Sequence, residues 1–122
     1  MNFTQEQIND IVAEAMQAAS KAAVEYFNTK LGGADNFPCG FAWVEVFGTN
    51  NHERSKIKGN SKLGTMLKKA GFYQDSYDKV FKIWNPSGHR AQNVDTKEAG
   101  AYAAAQVLEK HGFRAYAGSR LD

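Results

Sequence analysis

Anion binding is the chemistry for which the chain carries the most suitable side chains. Arg54, Lys56, Lys58, Lys62, Lys68 and Lys69 crowd one segment, opposed nearby only by Glu53. Lysines on a helix face are usually no more than solvated, and Lys62, Lys68 and Lys69 read that way. Arginine is more informative, because its planar fork matches phosphate with two parallel hydrogen bonds. The chain has four arginines: Arg54, Arg90, Arg114 and Arg120. Arg90 stands just before a helix whose opening N–H groups, near Thr96, Lys97 and Glu98, favour a phosphate, although Glu98 competes for the same place. Arg54 and Lys97 are the candidate phosphate ligands. The aromatics Trp43, Trp84, Phe47, Phe81, Phe72, Tyr73 and Tyr77 offer faces on which a base could stack, at about 1–3 kcal/mol per base. Asn93, Ser119 and Asp122 add short polar groups. Charge for phosphate, a flat face for a base and acceptors for ribose are what a nucleotide needs.

Catalysis finds less support. His52, His89 and His111 lie far apart, and neither they nor Cys39 have a second ligand at metal-binding spacing. His111 falls at a helix end, where it can meet the last carbonyls. Ser119 sits between Gly118 and Arg120 with no helix after it, so it is not a nucleophile elbow. Asp75 and Asp78 are near each other but in turn-like sequence. No glycine-rich phosphate loop occurs. These residues predict a binding protein, not an enzyme, with no metal and no cofactor.

The elements that must position such a site are readable from periodicity. Thr4 with Gln7 makes a capping box. From there Ile8, Val12, Ala15, Ala19, Ala22 and Tyr26 form a helical stripe, ending at Gly32-Gly33. A helix over 4–31 of roughly 27 residues is about 40 Å long, long for a domain with a radius of gyration of roughly 14 Å. Its alanine-rich middle predicts partial docking on a second subunit. Cys39 to Gly48 alternates, placing Phe41, Trp43, Glu45 and Phe47 on one side of a strand and Ala42, Val44 and Val46 on the other. The small side should receive helices. The aromatic side is open to three roles: core, subunit interface, or platform for a flat ligand.

Arg54, Lys56 and Lys58 alternate as in an extended segment. Ser61 caps a short helix with Leu63, Met66, Leu67 and Ala70 inward. Phe72 to Asp78 reads as an aromatic loop, Lys79 to Trp84 as a strand. Asp95 to Glu98 reads as a capping box opening a third helix, with Ala99, Tyr102, Ala103, Gln106 and Val107 on one face. A last strand covers Phe113 to Ala117. The expected fold is α+β: a long N-terminal helix, then a three-stranded sheet alternating with two shorter helices on one face. It forms a single domain over 1–122, with the α/β core over 38–122.

With 122 residues, 43% hydrophobic and 23% charged, the chain has the size of one domain, and a formal charge of +2 is too small to announce a nucleic-acid binder. One cysteine excludes an internal disulfide and fits a reducing compartment. No secretory leader or bilayer-length apolar run is legible.

Two motifs carry a resemblance: Cys39-Gly40-Phe41-Ala42-Trp43-Val44, and Ala115-Tyr116-Ala117-Gly118-Ser119-Arg120-Leu121-Asp122. Over roughly 38–122, with the order of elements between them, the chain resembles a group of small phage proteins. Within that group it resembles the Thoeris anti-defence sponges, which sequester cyclic nucleotide signals of bacterial immunity. The resemblance implies an oligomer built from dimers, acting in the host cytoplasm during infection. It would hold glycocyclic ADP-ribose between subunits, with cyclic oligonucleotides at a second site, and would cleave neither. It carries Phe41, Trp43, Ser119, Arg120 and Asp122 over as ligand-binding positions. Trp84, Arg90 and Asn93 join them from charge and position. The alternative is a phage inhibitor that binds a host protein or nucleic acid directly through the basic segment.

Overall fold

The computed structural model describes residues 2–49 and 56–122. Arg54 therefore lies outside the described residues. Helix α1 spans Gln5–Glu25 and continues as a π-helical turn, Tyr26–Lys30. Its start is the expected capping box: Thr4 Oγ1 accepts from Gln7 N at 3.1 Å and Gln7 Oε1 accepts from Thr4 N at 2.9 Å. Gly32 and Gly33 end it with φ of 60° and 77°, a conformation that favours glycine. There follow β1 (Gly40–Thr49), α2 (Lys62–Lys69), β2 (Tyr73–Gln74), β3 (Phe81–Trp84), α3 (Val94–Lys110) and β4 (Phe113–Leu121).

The sheet has four strands, not three, in the order β2-β3-β1-β4, and every pair is antiparallel. Two corrections follow. Tyr73-Gln74, expected in a loop, pairs with Lys82 and Phe81. The last strand does not stop at Ala117 but pairs with β1 as far as Leu121. From β1 onward, the element and sheet orders together form a split β-α-β arrangement.

All three helices lie against the small-residue face. Ala42, Val44 and Val46 are buried there with Phe81, Phe113, Leu67, Leu108 and Ile8. The α1 stripe is buried within this one chain, at Ile8, Ile11, Val12, Ala15, Ala19 and Ala23. Its alanines let α3 approach: a Cβ on Gly100 would stand 3.1 Å from the Ala19 carbonyl oxygen and 2.7 Å from Ser87 Cβ. The alanine-rich middle of α1 thus packs closely on α3 of the same chain.

Helix α3 begins two residues earlier than expected. Its cap is Asn93, whose side chain accepts from Thr96 N at 2.7 Å, while Val94 N donates to Pro38 O at 2.9 Å. Asp95 lies in the first turn, and Glu98 is no part of a box. The buried face is Val94, Thr96, Gly100, Ala101, Ala104, Ala105 and Leu108, with Tyr102 exposed. None of the expected face of Ala99, Tyr102, Ala103, Gln106 and Val107 is buried: the core side is nearly the opposite one, a slip made possible because alanine on both sides gives little contrast. Among the described residues, no helix is long and apolar enough to cross a membrane.

Candidate functional site

Because the helices occupy one face of the sheet, the other stays open, and the pairing register lays it out in rows. Residues directly opposite across antiparallel strands share a face. The first row is Phe41 with Arg120. The second runs Trp84, Trp43, Gly118. The third runs Tyr73, Lys82, Glu45, Tyr116. Every strand contributes an aromatic. Phe41, Tyr73, Trp84 and Tyr116 are 38%, 38%, 44% and 54% exposed, with Lys82 and Glu45 standing between the two tyrosines.

At the Phe41 end the side chains converge. Trp84 meets Trp43 at 5.1 Å between ring centroids and Phe41 edge-on at 5.9 Å. The Arg120 guanidinium carbon stands 5.5 Å from the Phe41 centroid and 5.8 Å from that of Trp84. Lys97 reaches from α3 to 5.5 Å from Phe41, its amine donating to Gly40 O at 2.9 Å. A cation over an aromatic face is drawn by the ring quadrupole. Both cations are thereby held at the rim of this aromatic cluster.

Trp43 is fixed from several sides. Its Nε1 donates to Glu45 Oε1 at 3.1 Å, and Lys82 Nζ stands 5.9 Å from its centroid. Gly118 lies directly beneath, since a Cβ there would come within 2.3–2.5 Å of the indole atoms Cε2, Cζ2 and Nε1. Lys82 is itself bound to Asp78 at 2.8 Å and Asp75 at 3.3 Å. Burial alone would lower its pKa, but hydrogen bonds to Asp78 and then Asp75 outweigh it and leave it raised. Asp75 titrates low, held first by the Tyr77 and Asp78 backbone N–H groups; Asp78 titrates low chiefly through Lys82. Burial raises the Tyr73 phenol.

The structure gathers Phe41, Trp43, Trp84, Arg120 and Lys97 and separates the rest. Asn93 is fully buried and structural: besides capping α3, its Nδ2 donates to Asp35 Oδ1 at 2.8 Å. Ser119 points to the helix face, where its hydroxyl donates to Glu98. Arg90 is exposed, between the end of β3 and the start of α3. Asp122 follows β4, its backbone N–H on Cys39 O at 3.0 Å. The expected phosphate site at the α3 N-terminus is closed: Asn93 takes Thr96 N, and the earlier start places the Lys97 and Glu98 N–H groups in the helical ladder.

Phe72 and Phe81 are core, not stacking faces. In the basic segment, Lys56 donates to Asp78 O and Lys68 to Gly59 O, both at 3.0 Å. His111 pairs with Glu14 at 3.0 Å instead of the helix carbonyls. Glu45, Lys82, Tyr116 and Gly118 escaped sequence reasoning as site residues, although extending the β4 alternation past Ala117 would have placed Tyr116, Gly118 and Arg120 on one face.

Elsewhere, a cleft of about 550 Å³ lies between the starts of α1 and α2, lined by Phe3, Thr4, Ser61, Lys62 and Lys69. Its capping oxygens already accept from Gln7 N and Gly64 N. Among the described residues no group of histidine, cysteine and carboxylate side chains could hold a metal ion. No protein-family model, no curated protein and no solved structure matches the chain.

Proposed function

We propose that the chain is a non-catalytic binder of phosphorylated, base-bearing ligands, which it holds on the open face of its sheet. The observation that carries this reading is the cluster of Phe41, Trp43 and Trp84 with Arg120 and Lys97 at its rim. A base stacks on the exposed face of Trp84 with Phe41 edge-on beside it, and the two cations meet its phosphates. Resemblance to the anti-defence sponges narrows the ligand to cyclic nucleotide signals, glycocyclic ADP-ribose or cyclic oligonucleotides. On that reading an oligomer built from dimers holds them uncleaved in the host cytoplasm. Sequestration works by mass action, so the protein must exceed the signal and bind it more tightly than its receptor does.

Both tryptophans of the chain stand in this cluster, so their emission reports on it directly. Titration with cyclic ADP-ribose and with cyclic dinucleotides is expected to change that emission saturably. Arg120→Ala and Trp84→Ala should each weaken binding about tenfold or more, in line with the contribution of one stacked base. Heating the complex should release intact ligand. No saturable change at millimolar ligand, or recovery of a cleaved product, overturns the reading.

A second reading has its own observation. Stacking aromatics here lie on the two central strands of a four-stranded antiparallel sheet, the arrangement on which single-stranded RNA is commonly stacked. It expects labelled oligonucleotides to bind where mononucleotides do not, with affinity falling steeply as salt rises.

A further inference from the structure

Most polar groups on the open face cannot tell one base from another. Arg120, Lys97 and Lys82 carry charge, and Lys82 is committed to Asp75 and Asp78. The phenols of Tyr73 and Tyr116 both donate and accept, so they tolerate either partner. Glu45 is different. Ionised, it only accepts. It lies in the row next to Trp43 and Trp84, between Lys82 and Tyr116, and is half-buried. Its Oε1 is fixed by Trp43 Nε1 at 3.1 Å, and no other hydrogen-bond partner of its carboxylate occurs among the described residues.

An indole N–H bond of this kind holds the carboxylate at the edge of the ring. A base stacked on the exposed face of Trp84, which meets Trp43 at 5.1 Å between centroids, brings its own edge to the same side. Guanine presents two neighbouring donors there, N1–H and the N2 amino group, which a carboxylate accepts together. Adenine and cytosine present a donor beside a ring-nitrogen acceptor, which faces the carboxylate lone pairs unfavourably. We infer that Glu45 makes the platform selective for guanine, through acceptance from N1–H and N2–H. This rests on the base-binding reading above. Within it, the preferred ligands become guanine-bearing cyclic oligonucleotides and not the adenine-bearing glycocyclic ADP-ribose.

The test uses GMP, dGMP, IMP and AMP, with dissociation constants taken from tryptophan emission in the wild-type protein and in Glu45→Gln. A good bidentate contact to a base corresponds to about tenfold discrimination or more. Wild type should bind GMP and dGMP at least about tenfold tighter than AMP. IMP, which lacks the N2 amino group, should fall between them. Glutamine keeps an acceptor for the Trp43 N–H but faces guanine with a donor, so the GMP-to-AMP ratio should collapse to about one. AMP binding to the same variant serves as the fold control. Equal affinity for GMP and AMP in the wild type, or a ratio that survives Glu45→Gln, overturns the inference and leaves the platform standing. A preference lost with dGMP assigns Glu45 to the ribose and also overturns it. Absence of binding to all four removes the platform and the inference together.

Discussion

Substituting Gly118 by alanine tests whether the Trp43 indole lies where the site needs it. The backbone there is ordinary strand, so a methyl group is resisted only by the ring above it. An added Cβ would stand 2.3 Å from Trp43 Cε2 and 2.5 Å from Cζ2 and Nε1. Real contacts of this type are not shorter than about 3 Å, so the indole must move, and Trp84 at 5.1 Å limits where it can go. Overpacking of this kind costs about 1–3 kcal/mol. Alanine recovers about 0.5–1 kcal/mol over glycine in a strand, which leaves a net loss of about 0–2.5 kcal/mol, a little over 1 at mid-range. In a domain of this size the mid-range loss lowers Tm by about 5 °C. Tilting the ring also breaks the Trp43–Glu45 hydrogen bond, so tryptophan emission should shift to the red. None of the three clashing indole atoms has a counterpart in an alanine side chain. Trp43→Ala should therefore remove most of the cost of Gly118→Ala in a double-mutant cycle. If Gly118→Ala keeps both its Tm and its emission spectrum, the indole does not rest on Gly118 and the layout of the platform is wrong.

Two further outcomes separate structural roles from ligand roles. Asn93→Ala should lose about 1–2 kcal/mol of stability by thermal melting, the usual contribution of a helix cap, and change nucleotide affinity less than about twofold. A large affinity loss at unchanged Tm would return Asn93 to the site. Asp35, Asp75, Asp78 and Glu14 all titrate low, Asp35 through the Gln92 N–H first and Glu14 through Lys110 first. Their stabilisation is present above the ordinary carboxylate range, about pH 4, and is lost as pH falls through their lowered native values. Melting temperature should thus decline below about pH 4, less steeply in Asp35→Asn; an equally steep decline in that variant would remove Asp35 from this account.

Much of the frame is legible because its signals are local. Thr4 and Gln7 announce α1, and alternation from Phe41 to Phe47 separates the helix face of β1 from its open face. What escapes depends on distant partners. Gly118-Ser119 reads as turn chemistry, yet the glycine is there to seat a tryptophan from another strand. Tyr73-Gln74 is too short to be periodic and becomes a strand only beside β3. Asp95-Thr96-Lys97-Glu98 satisfies a capping pattern, but Asn93, strapped to Asp35 and next to the β1 entrance, starts the helix first. At the site, residue types pointed to Phe41, Trp43, Trp84, Arg120 and Lys97. Glu45 gained a role only from register, because its neighbours Lys82 and Tyr116 are remote in sequence.

The sheet order also fixes how this surface is tied together along the chain. Trp43 faces Trp84 on one side and Gly118 on the other. Those pairings close loops of roughly 40 and 75 residues, and the logarithmic dependence of closure entropy makes the longer one only about 0.5 kcal/mol costlier. Distance in sequence is thus a small thermodynamic burden on β4. It weighs on the path instead, since non-local pairing slows folding. A chain that has joined β1 to β3 but not yet to β4 has its two tryptophans in place, with neither the glycine that seats Trp43 nor the arginine that borders Trp84. Completing the sheet and completing its open aromatic face are one event.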